Sequence, residues 1–344
     1  MIISNTINRK KILTVSTDSI VASVGYTLYR LSEDKWEKYG IIKDGKNSLF
    51  ASSALSRRLT RAEISKLYRL QDGTELCIAR KGIFRREAGG KEFKKVFNVV
   101  RGSRPMNICE DLDGSLYFGE YFANMEKKAV YIYSSHDHGK TWNIAHTFPE
   151  GNINHVHGIF LDPYTNRMWF ATGDRENECI IGYTEDGFKT ITEVFRGGQD
   201  YRTCVLFFYK DFIVFGTDSQ YQKNVLKSFN RQTQEITELQ EVQGPVIKGT
   251  QIGDLAMIST DVEPSEINKT KNAYLWITLD GLHWEELYHT EKDWLNPTLF
   301  QFGVFDLPQY SNDYTGTKVY ATGKALKGCD GDTLVFDLNN KELI

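Results

Sequence analysis

The chain has 344 residues, of which 40% are hydrophobic and 25% charged, a balance typical of a folded globular protein. Its formal net charge of −3 argues against a general affinity for nucleic acid or for anionic membranes. The N-terminal segment lacks the apolar stretch of a secretory signal, and no run of about 18 apolar residues predicts a transmembrane helix. We therefore expect a cytoplasmic protein with neither nucleic acid nor a membrane as its partner.

Aromatic residues make up 13% of the chain, which favours β-strands because rings pack well on pleated sheets. The five cysteines are scattered along the chain and form no CxxC pair. We expect them to be buried free thiols in a reducing compartment.

A strand, a small or polar turn and a second strand recur along the chain at irregular spacing. Seven such units can be placed, beginning near Ser19, Thr74, Ser115, Arg167, Phe212, Leu255 and Lys318. Repeats of about 40–50 residues that each form a small sheet are typical of β-propellers, in which the sheets close into a ring. We predict one all-β domain over residues 1–344, a seven-bladed propeller, with six blades as the alternative.

The two ends of the chain are predicted to meet in one blade. Residues 2–6 (IISNT) would add an outer strand to the C-terminal blade, whose strand lies within residues 333–344. Residues 58–70 (RLTRAEISKLYRL) fit either a helical turn or the approach to a strand. Elsewhere the chain shows no long segment with helical periodicity.

The segment Tyr133–Trp142 (YSSHDHGKTW) carries the sharpest local motif. Its Asp and Ser side chains would hydrogen-bond the backbone of their own turn, its glycine would allow positive φ, and its tryptophan would cover the turn. Two looser copies run from Thr184 to Thr190 and from Thr278 to Trp284. We predict a structural, hairpin-pinning role for Ser135, Asp137, Gly139, Thr141, Trp142, Asp186, Asp280 and Trp284.

This motif resembles the Asp-box, or bacterial neuraminidase (BNR) repeat, of the sialidase superfamily. The wider pattern from about Arg101 to Trp284, with RGSRPMN, HVHGIFLDPYTNRMWFATGD, YRT and GTDS, is similar to bacterial exo-sialidase-like propellers, some of which belong to surface-polysaccharide loci. The resemblance implies a sialidase-like propeller whose Asp-boxes lie at the periphery, away from the site. It also implies arginines that hold a substrate carboxylate, for which Arg104-Pro105 is the comparable segment. The Tyr/Glu nucleophile pair and Asp acid/base of sialidases have no clear equivalent.

In a propeller, residues that begin the innermost strands and residues that follow the second strands converge on one face around the axis, where a pocket can form. We expect catalytic roles there for Glu120, His157, Asp174, Tyr201 and Asp218. We expect substrate contacts from Arg104, Tyr121, His155, Arg175, Arg202 and Gln243. The competing interpretation is that the carboxylates only shape turns and that the arginines form internal ion pairs.

His155 and His157 stand two residues apart on a predicted strand, so their imidazoles point to the same side. Imidazole is both the commonest neutral metal ligand and an acid or base near neutral pH. A catalytic zinc site takes about three protein ligands, so Glu120 or Asp174 would have to supply a third. Three interpretations remain open: a divalent-metal site, histidine chemistry without a metal or cofactor, and structural histidines.

Three functions are compatible with this polar face. The first is an enzyme, a glycoside hydrolase or polysaccharide lyase, acting on an acidic sugar or a bacterial surface-polysaccharide fragment. The second is a non-catalytic propeller that binds a glycan or the proteins of a polysaccharide-synthesis system. The third is a metal-dependent lyase or lactonase that uses His155 and His157. A hydrolase would need two carboxylates about 5–10 Å apart, whereas a lyase needs a base and a group that neutralises the uronate.

Overall fold

The computed structural model describes residues 3–340; residues 1–2 and 341–344, part of the predicted single domain, lie outside the described residues. The first elements in chain order are β1 (Ile3–Ile7), β2 (Lys11–Val15), β3 (Ile20–Val24), β4 (Thr27–Ser32), β5 (Lys35–Ile41), α1 (Gly45–Phe50), α2 (Ala54–Thr60), β6 (Lys66–Arg69), β7 (Glu75–Ala79), β8 (Gly82–Arg86) and β9 (Lys94–Asn98). The next are β10 (Cys109–Glu110), β11 (Leu116–Gly119), β12 (Val130–Ser135), β13 (Asn143–Phe148), β14 (His155–Leu161), β15 (Met168–Gly173), β16 (Cys179–Thr184), β17 (Thr192–Gly197), β18 (Thr203–Phe208), β19 (Phe212–Thr217), β20 (Asn224–Asn230) and β21 (Ile236–Val242). The last are β22 (Val246–Ile252), β23 (Leu255–Thr260), β24 (Asn272–Thr278), β25 (Glu285–Glu291), α3 (Pro297–Phe300), β26 (Val304–Asp306), β27 (Gln309–Tyr310), β28 (Lys318–Lys324) and β29 (Thr333–Asp337).

Within the described residues these strands form seven antiparallel-meander sheets, which are the blades of a β-propeller. Blade 1 is built on β2–β5, and blades 2 to 6 are β6–β9, β10–β13, β14–β17, β18–β21 and β22–β25. Blade 7 has the order β26-β28-β29-β1 from the inside outwards. The all-β, seven-bladed prediction is confirmed, and the six-blade alternative is wrong.

Blade 7 combines segments from both ends of the described chain. Strand β1 pairs antiparallel with β29, with Ile7 opposite Thr333 and Ile3 opposite Phe336. Strand β27 leaves blade 7 and pairs in parallel with β2, so it adds an inner fifth strand to blade 1. The axis of the ring is therefore partly filled by the chain itself.

The core lies between the blades. In residues 3–340 the buried apolar side chains form seven clusters, one for each pair of neighbouring blades. Between blades 3 and 4, for example, Ile132, Val156 and Phe170 pack together with almost no exposed surface. Each such side chain contributes about 1.5–3 kcal/mol through burial, so blade-to-blade packing holds the ring closed.

The three predicted turn motifs join the third and fourth strands of blades 3, 4 and 6. The Asp137 carboxylate accepts hydrogen bonds from the Thr141 amide (2.9 Å), the Thr141 hydroxyl (2.7 Å) and the Ser135 hydroxyl (2.8 Å). Asp186 and Asp280 hold their own turns in the same way. These turns lie at the end of the blades opposite to where the innermost strands begin, so they are remote from the axial face on which the candidate site residues were expected.

The segment 58–70 contains both elements that its sequence allows, because α2 ends at Thr60 and β6 begins at Lys66. The five cysteines are all buried and free of disulfide bonds. Among the described residues, no helix has both the length and the apolar character needed to cross a membrane.

Candidate functional site

Strand register brings the predicted positions together on one face, which we call the axial face: the end of the ring where the innermost strands begin and the second strands finish. His155, the first residue of β14, lies opposite Gly173, the last residue of β15. In blade 5, Thr203 lies opposite Thr217 in the same way. Asp174 and Asp218, the residues that follow β15 and β19, therefore stand beside the first residues of the innermost strands.

Three side-chain atoms converge at the centre of this face. The Nε2 atoms of His155 and His157 are 3.0 Å apart. The Asp174 Oδ1 atom lies 3.2 Å from the first and 3.1 Å from the second. Both imidazoles are buried, with 4% and 1% of their surface exposed, whereas Asp174 is only half-buried. We call these three residues the His-His-Asp cluster.

The other nitrogen of each imidazole fixes its tautomer. His155 Nδ1 lies 2.8 Å from the Phe122 carbonyl oxygen, and His157 Nδ1 lies 2.8 Å from the Thr203 carbonyl oxygen. Because a carbonyl oxygen only accepts hydrogen bonds, each Nδ1 carries a proton, and each Nε2 points into the cluster. The three facing atoms are stabilised by a positive charge, which a proton on an imidazole, the Arg202 guanidinium 3.1 Å from Asp174 Oδ1 or a bound cation can supply.

Neighbouring groups hold the cluster in place. Asn154 Nδ2 donates to Asp174 Oδ2 at 2.9 Å, and Gln199 Nε2 donates to the Asp174 backbone oxygen at 2.7 Å. Gly173 leaves the space for His157, since a Cβ atom there would lie 2.5 Å from the imidazole Cε1. The ligand atoms are thus fixed by a second layer of contacts, as is usual around metal-binding histidines.

Arg202 links the cluster to blade 5. Its Nη2 lies 3.1 Å from Asp174 Oδ1 and its Nε lies 3.5 Å from Asp218 Oδ2. The Cys204 thiol also donates to Asp218 Oδ2, at 3.4 Å. His157, Cys204 and Asp218 present a second set of potential ligand atoms that lie within 4.8 Å of one another. Arg202 is therefore engaged by two carboxylates of the protein itself.

The pKa values of Asp174 and Asp218, the two carboxylates beside Arg202, are shifted in opposite directions. Burial tends to raise the pKa of Asp174, but when His155 and His157 are also protonated at Nε2 their hydrogen bonds and charge outweigh it and hold the pKa far below its usual range. Burial raises the pKa of Asp218, and Arg202 only partly offsets this effect. Asp174 is consequently ionised at any pH that the protein meets, while Asp218 is the more basic carboxylate.

Tyr121 covers the cluster from blade 3. Its ring lies 4.2 Å, centroid to centroid, from the ring of His155. Burial raises the pKa of the Tyr121 hydroxyl, and the carboxylates Asp174 and Asp218 raise it further. The phenol is therefore a hydrogen-bond and proton donor beside the cluster.

Three predicted site residues lie outside the cluster. Both carboxylate oxygens of Glu120 contact the Arg101 guanidinium group, and Oε1 accepts a hydrogen bond from Nε at 2.9 Å. Glu120 therefore neutralises the charge of Arg101. The Tyr201 ring stacks on Phe195 of the outer strand β17, with centroids 5.0 Å apart. The Gln243 side chain accepts a hydrogen bond from the Trp276 indole at 3.3 Å. In each case a nearer partner turns the side chain away from the place that its strand position suggested.

The two remaining arginines have different surroundings. Arg104 donates to the Arg61 carbonyl at 3.4 Å, and its charge acts on Glu63 and Lys324 rather than on the histidines. Arg175 directly follows Asp174, in the loop after the second strand of blade 4, and is exposed. Of the predicted site residues, the structure brings together His155, His157, Asp174, Arg202, Asp218 and Tyr121.

The sequence-based prediction missed Cys204, Asp261 and Glu263. Burial raises the pKa of both acidic residues, and each is close enough to Asp218 for that carboxylate to raise it further. Asp261 follows the second strand of blade 6 as Asp218 follows that of blade 5. Aligning the two strand ends, ISTD and FGTD, would have identified it; the cysteine has no comparable signal.

No protein-family model and no curated protein matches this chain. A chain of the mitotic checkpoint complex is similar in structure, with a TM-score of 0.57 at 8% identity, over 98% of this chain and 94% of that one. An extracellular domain from B. thetaiotaomicron, assigned to a hybrid two-component system, gives a TM-score of 0.59 at 12% identity, over 98% of this chain but 41% of that one. The likeness shows the propeller fold alone. Membership of the sialidase superfamily stays a prediction.

Proposed function

We propose that the protein is a divalent-metal-dependent enzyme of the polysaccharide-lyase class that acts on an acidic sugar at the axial face. The observation that carries the proposal is the convergence of His155 Nε2, His157 Nε2 and Asp174 Oδ1, all within 3.2 Å of one another. Two imidazoles and a carboxylate are a common ligand set of catalytic metal ions, and they leave the other coordination positions of the ion open to water or substrate. When bound, the ion would neutralise the carboxylate of the sugar.

A lyase fits this face better than a hydrolase. In this proposal Asp174 holds the metal ion, so it cannot also serve with Asp218 as one carboxylate of a glycosidase pair. Elimination instead needs one base, and we assign that role to Asp218, whose pKa burial raises. The base removes the proton beside the sugar carboxyl group, a C=C bond forms, and the C–O bond to the leaving sugar breaks. Tyr121 returns a proton to the leaving oxygen.

Arg175, rather than Arg202, would bind the carboxylate of the substrate. Arg202 is buried and faces two carboxylates of the protein, whereas Arg175 next to Asp174 is exposed. A guanidinium group in that position can pair with a carboxylate on an incoming uronic-acid chain. The exposed loop and the buried cluster would then hold successive sugars.

The proposal is tested by treating the protein with a chelator, restoring Mn²⁺, Zn²⁺ or Mg²⁺ in turn, and incubating it with polyuronate oligosaccharides. We expect ultraviolet absorbance from the unsaturated product only after metal is restored, and a loss of at least about 100-fold in His157→Ala. His289→Ala is the matched control, because that imidazole pairs with Glu286 on an outer strand. Equal activity in the chelated and the restored protein would overturn the proposal.

A second candidate is a non-catalytic binding propeller, and one observation favours it. Arg202 already supplies a positive charge to Asp174, which a purely structural cluster would also require. Apolar side chains are moreover exposed on the rim: Trp294 is 91% exposed, and Leu55, Leu59 and Leu299 on α2 and α3 are exposed as well. Binding of polyuronate without any product, with or without metal, would favour this candidate over the lyase.

A further inference from the structure

A second group of charged side chains lies around the axis, on the blades that do not carry the His-His-Asp cluster. It contains four lysines, Lys11 on β2, Lys66 on β6, Lys248 on β22 and Lys324 on β28, and two carboxylates, Glu63 and Asp306. We call it the lysine cluster. Its members come from blades 1, 2, 6 and 7, so the ring brings them together from distant parts of the sequence.

Three of the lysines are paired within the cluster. The Asp306 Oδ2 atom lies 2.6 Å from Lys324 Nζ and 2.8 Å from Lys11 Nζ. The Oδ1 atom lies 3.5 Å from Lys248 Nζ. Glu63 pairs with Lys324 at 2.5 Å. Four ammonium groups thus share two carboxylates, and the charge of the nearby Arg104 adds to the excess. The cluster therefore carries more positive than negative charge.

Lys66 is the lysine that this pairing leaves out. Among residues 3–340, its ammonium group has no hydrogen-bond or ion-pair partner closer than 4 Å. It lines a cavity of about 410 Å³ together with Lys248, Asn107 and His157. Desolvation, and then the charge of Lys248, lower the pKa of Lys66 to about 8. The side chain is half-buried, and an unpaired ammonium group in such a place is stabilised when an anion joins it.

We propose that Lys66 and Lys248 form an oxyanion site in the axial cavity, which takes a carboxylate or phosphate group of the ligand. The cavity is within the size range of small-molecule pockets, about 300–1,000 Å³, so it has room for one or two sugar units. The inference rests on the proposed function only in placing the rest of the ligand toward His157. The oxyanion site itself needs no metal and can be measured without one.

The test uses chelator-treated protein titrated calorimetrically with inorganic phosphate, D-glucuronate and neutral D-glucose at constant ionic strength. We expect at least one of the two anions to bind and glucose not to bind. In Lys66→Met the affinity for that anion falls at least about tenfold, as expected for loss of a charge-assisted contact. Lys223→Met is the matched control, because Lys223 is exposed and paired with Glu241 at 2.9 Å; it should bind the anion like the unmodified protein.

Thermal unfolding separates an anion site from a structural lysine. Lys66→Met should unfold at the same or a higher temperature than the unmodified protein without anion, since it removes a half-buried charge that has no partner, and should gain nothing from added anion. Binding of glucuronate but not phosphate identifies a sugar carboxylate; the reverse identifies a phosphate. Unchanged anion affinity in Lys66→Met, or a lowered unfolding temperature without anion, would overturn the inference. Metal binding measured in the same variant tests the proposed function separately.

Discussion

At the scale of single residues, the His-His-Asp cluster gathers acceptor atoms that repel each other unless a proton or a cation lies between them. Backbone carbonyls of Phe122 and Thr203 fix both tautomers, and Gly173 provides the space for the ring of His157. None of these supporting contacts touches a ligand directly, yet they determine where the lone pairs point. The position of the cluster therefore depends on residues that would neither bind a ligand nor react.

Gly173→Ala tests this dependence. The added methyl group would lie 2.5 Å from an imidazole carbon that the Thr203 carbonyl holds in place, so the ring must move. We expect metal affinity to fall about 10- to 100-fold, as for other losses of a contact that orients a ligand. Isothermal titration with Mn²⁺ and Zn²⁺ measures the change.

Gly198→Ala is the control for this substitution. Gly198 has φ −84°, and an added Cβ would meet only the end of the flexible Glu176 side chain. It should therefore bind metal like the unmodified protein. Unaltered metal affinity in Gly173→Ala would show that the close approach of Gly173 and His157 has no part in holding the cluster.

At the scale of secondary-structure elements, the turn carboxylates stabilise hairpins through hydrogen bonds to the backbone. Burial opposes ionisation of Asp137, but the hydrogen bonds from Thr141, Ser135 and the Lys140 amide together outweigh it and lower its pKa to about 2. Because the folded pKa is lower than the ordinary value, the stabilisation is complete above about pH 4 and is lost as the pH falls toward 2.

Asp137→Asn should therefore lower the free energy of unfolding by about 1.5 kcal/mol at neutral pH, the low end of the usual range for hydrogen bonds to a charged group, because the turn is partly exposed. The difference from the unmodified protein should shrink as the pH falls from 4 to 2, where the aspartate itself becomes protonated. Urea unfolding at a series of pH values measures it. The exposed Asp18→Asn serves as control, and a difference that stays constant down to pH 2 would contradict the assigned role.

Strands and turns that carry a repeated sequence motif could be predicted from the sequence. Strands that form only because of tertiary contacts could not. The hairpin motif recurs with its Asp and Gly in place, so blades 3, 4 and 6 could be recognised from the sequence. Strand β27 has only two residues, too few for any periodicity, and it forms because β2 offers it an edge. The short helices α1 and α3 likewise have no amphipathic repeat.

The site was predictable in part for the same reason. The residue that follows each second strand stands at the axial face whatever its identity, so Asp174 and Asp218 could be placed by counting along the blades. Glu120 occupies the same position but pairs with Arg101, a contact between residues 19 positions apart that strand position does not reveal. Lys324 also stands at the end of a second strand, and the prediction did not include it.

At the scale of the whole molecule, the ring divides its polar axial residues into two groups. Blades 3 to 5 contribute Tyr121, the His-His-Asp cluster, Arg202 and Asp218, whereas blades 1, 2, 6 and 7 contribute the lysine cluster. One cavity is lined by His157, Lys66 and Lys248 together. The closed ring therefore brings one residue of the proposed metal site and two lysines to the same cavity, which suits a ligand with an anionic group.

The most direct test of this account is an anomalous-difference map from crystals of the protein soaked in Zn²⁺ or Mn²⁺. We predict a single strong peak about 2.0–2.2 Å from each of the three atoms His155 Nε2, His157 Nε2 and Asp174 Oδ1. The peak should be absent in His157→Ala crystals soaked in the same way. No peak at these atoms, with Arg202 still bridging Asp174 and Asp218, would contradict the account and leave the cluster as a structural ion-pair network.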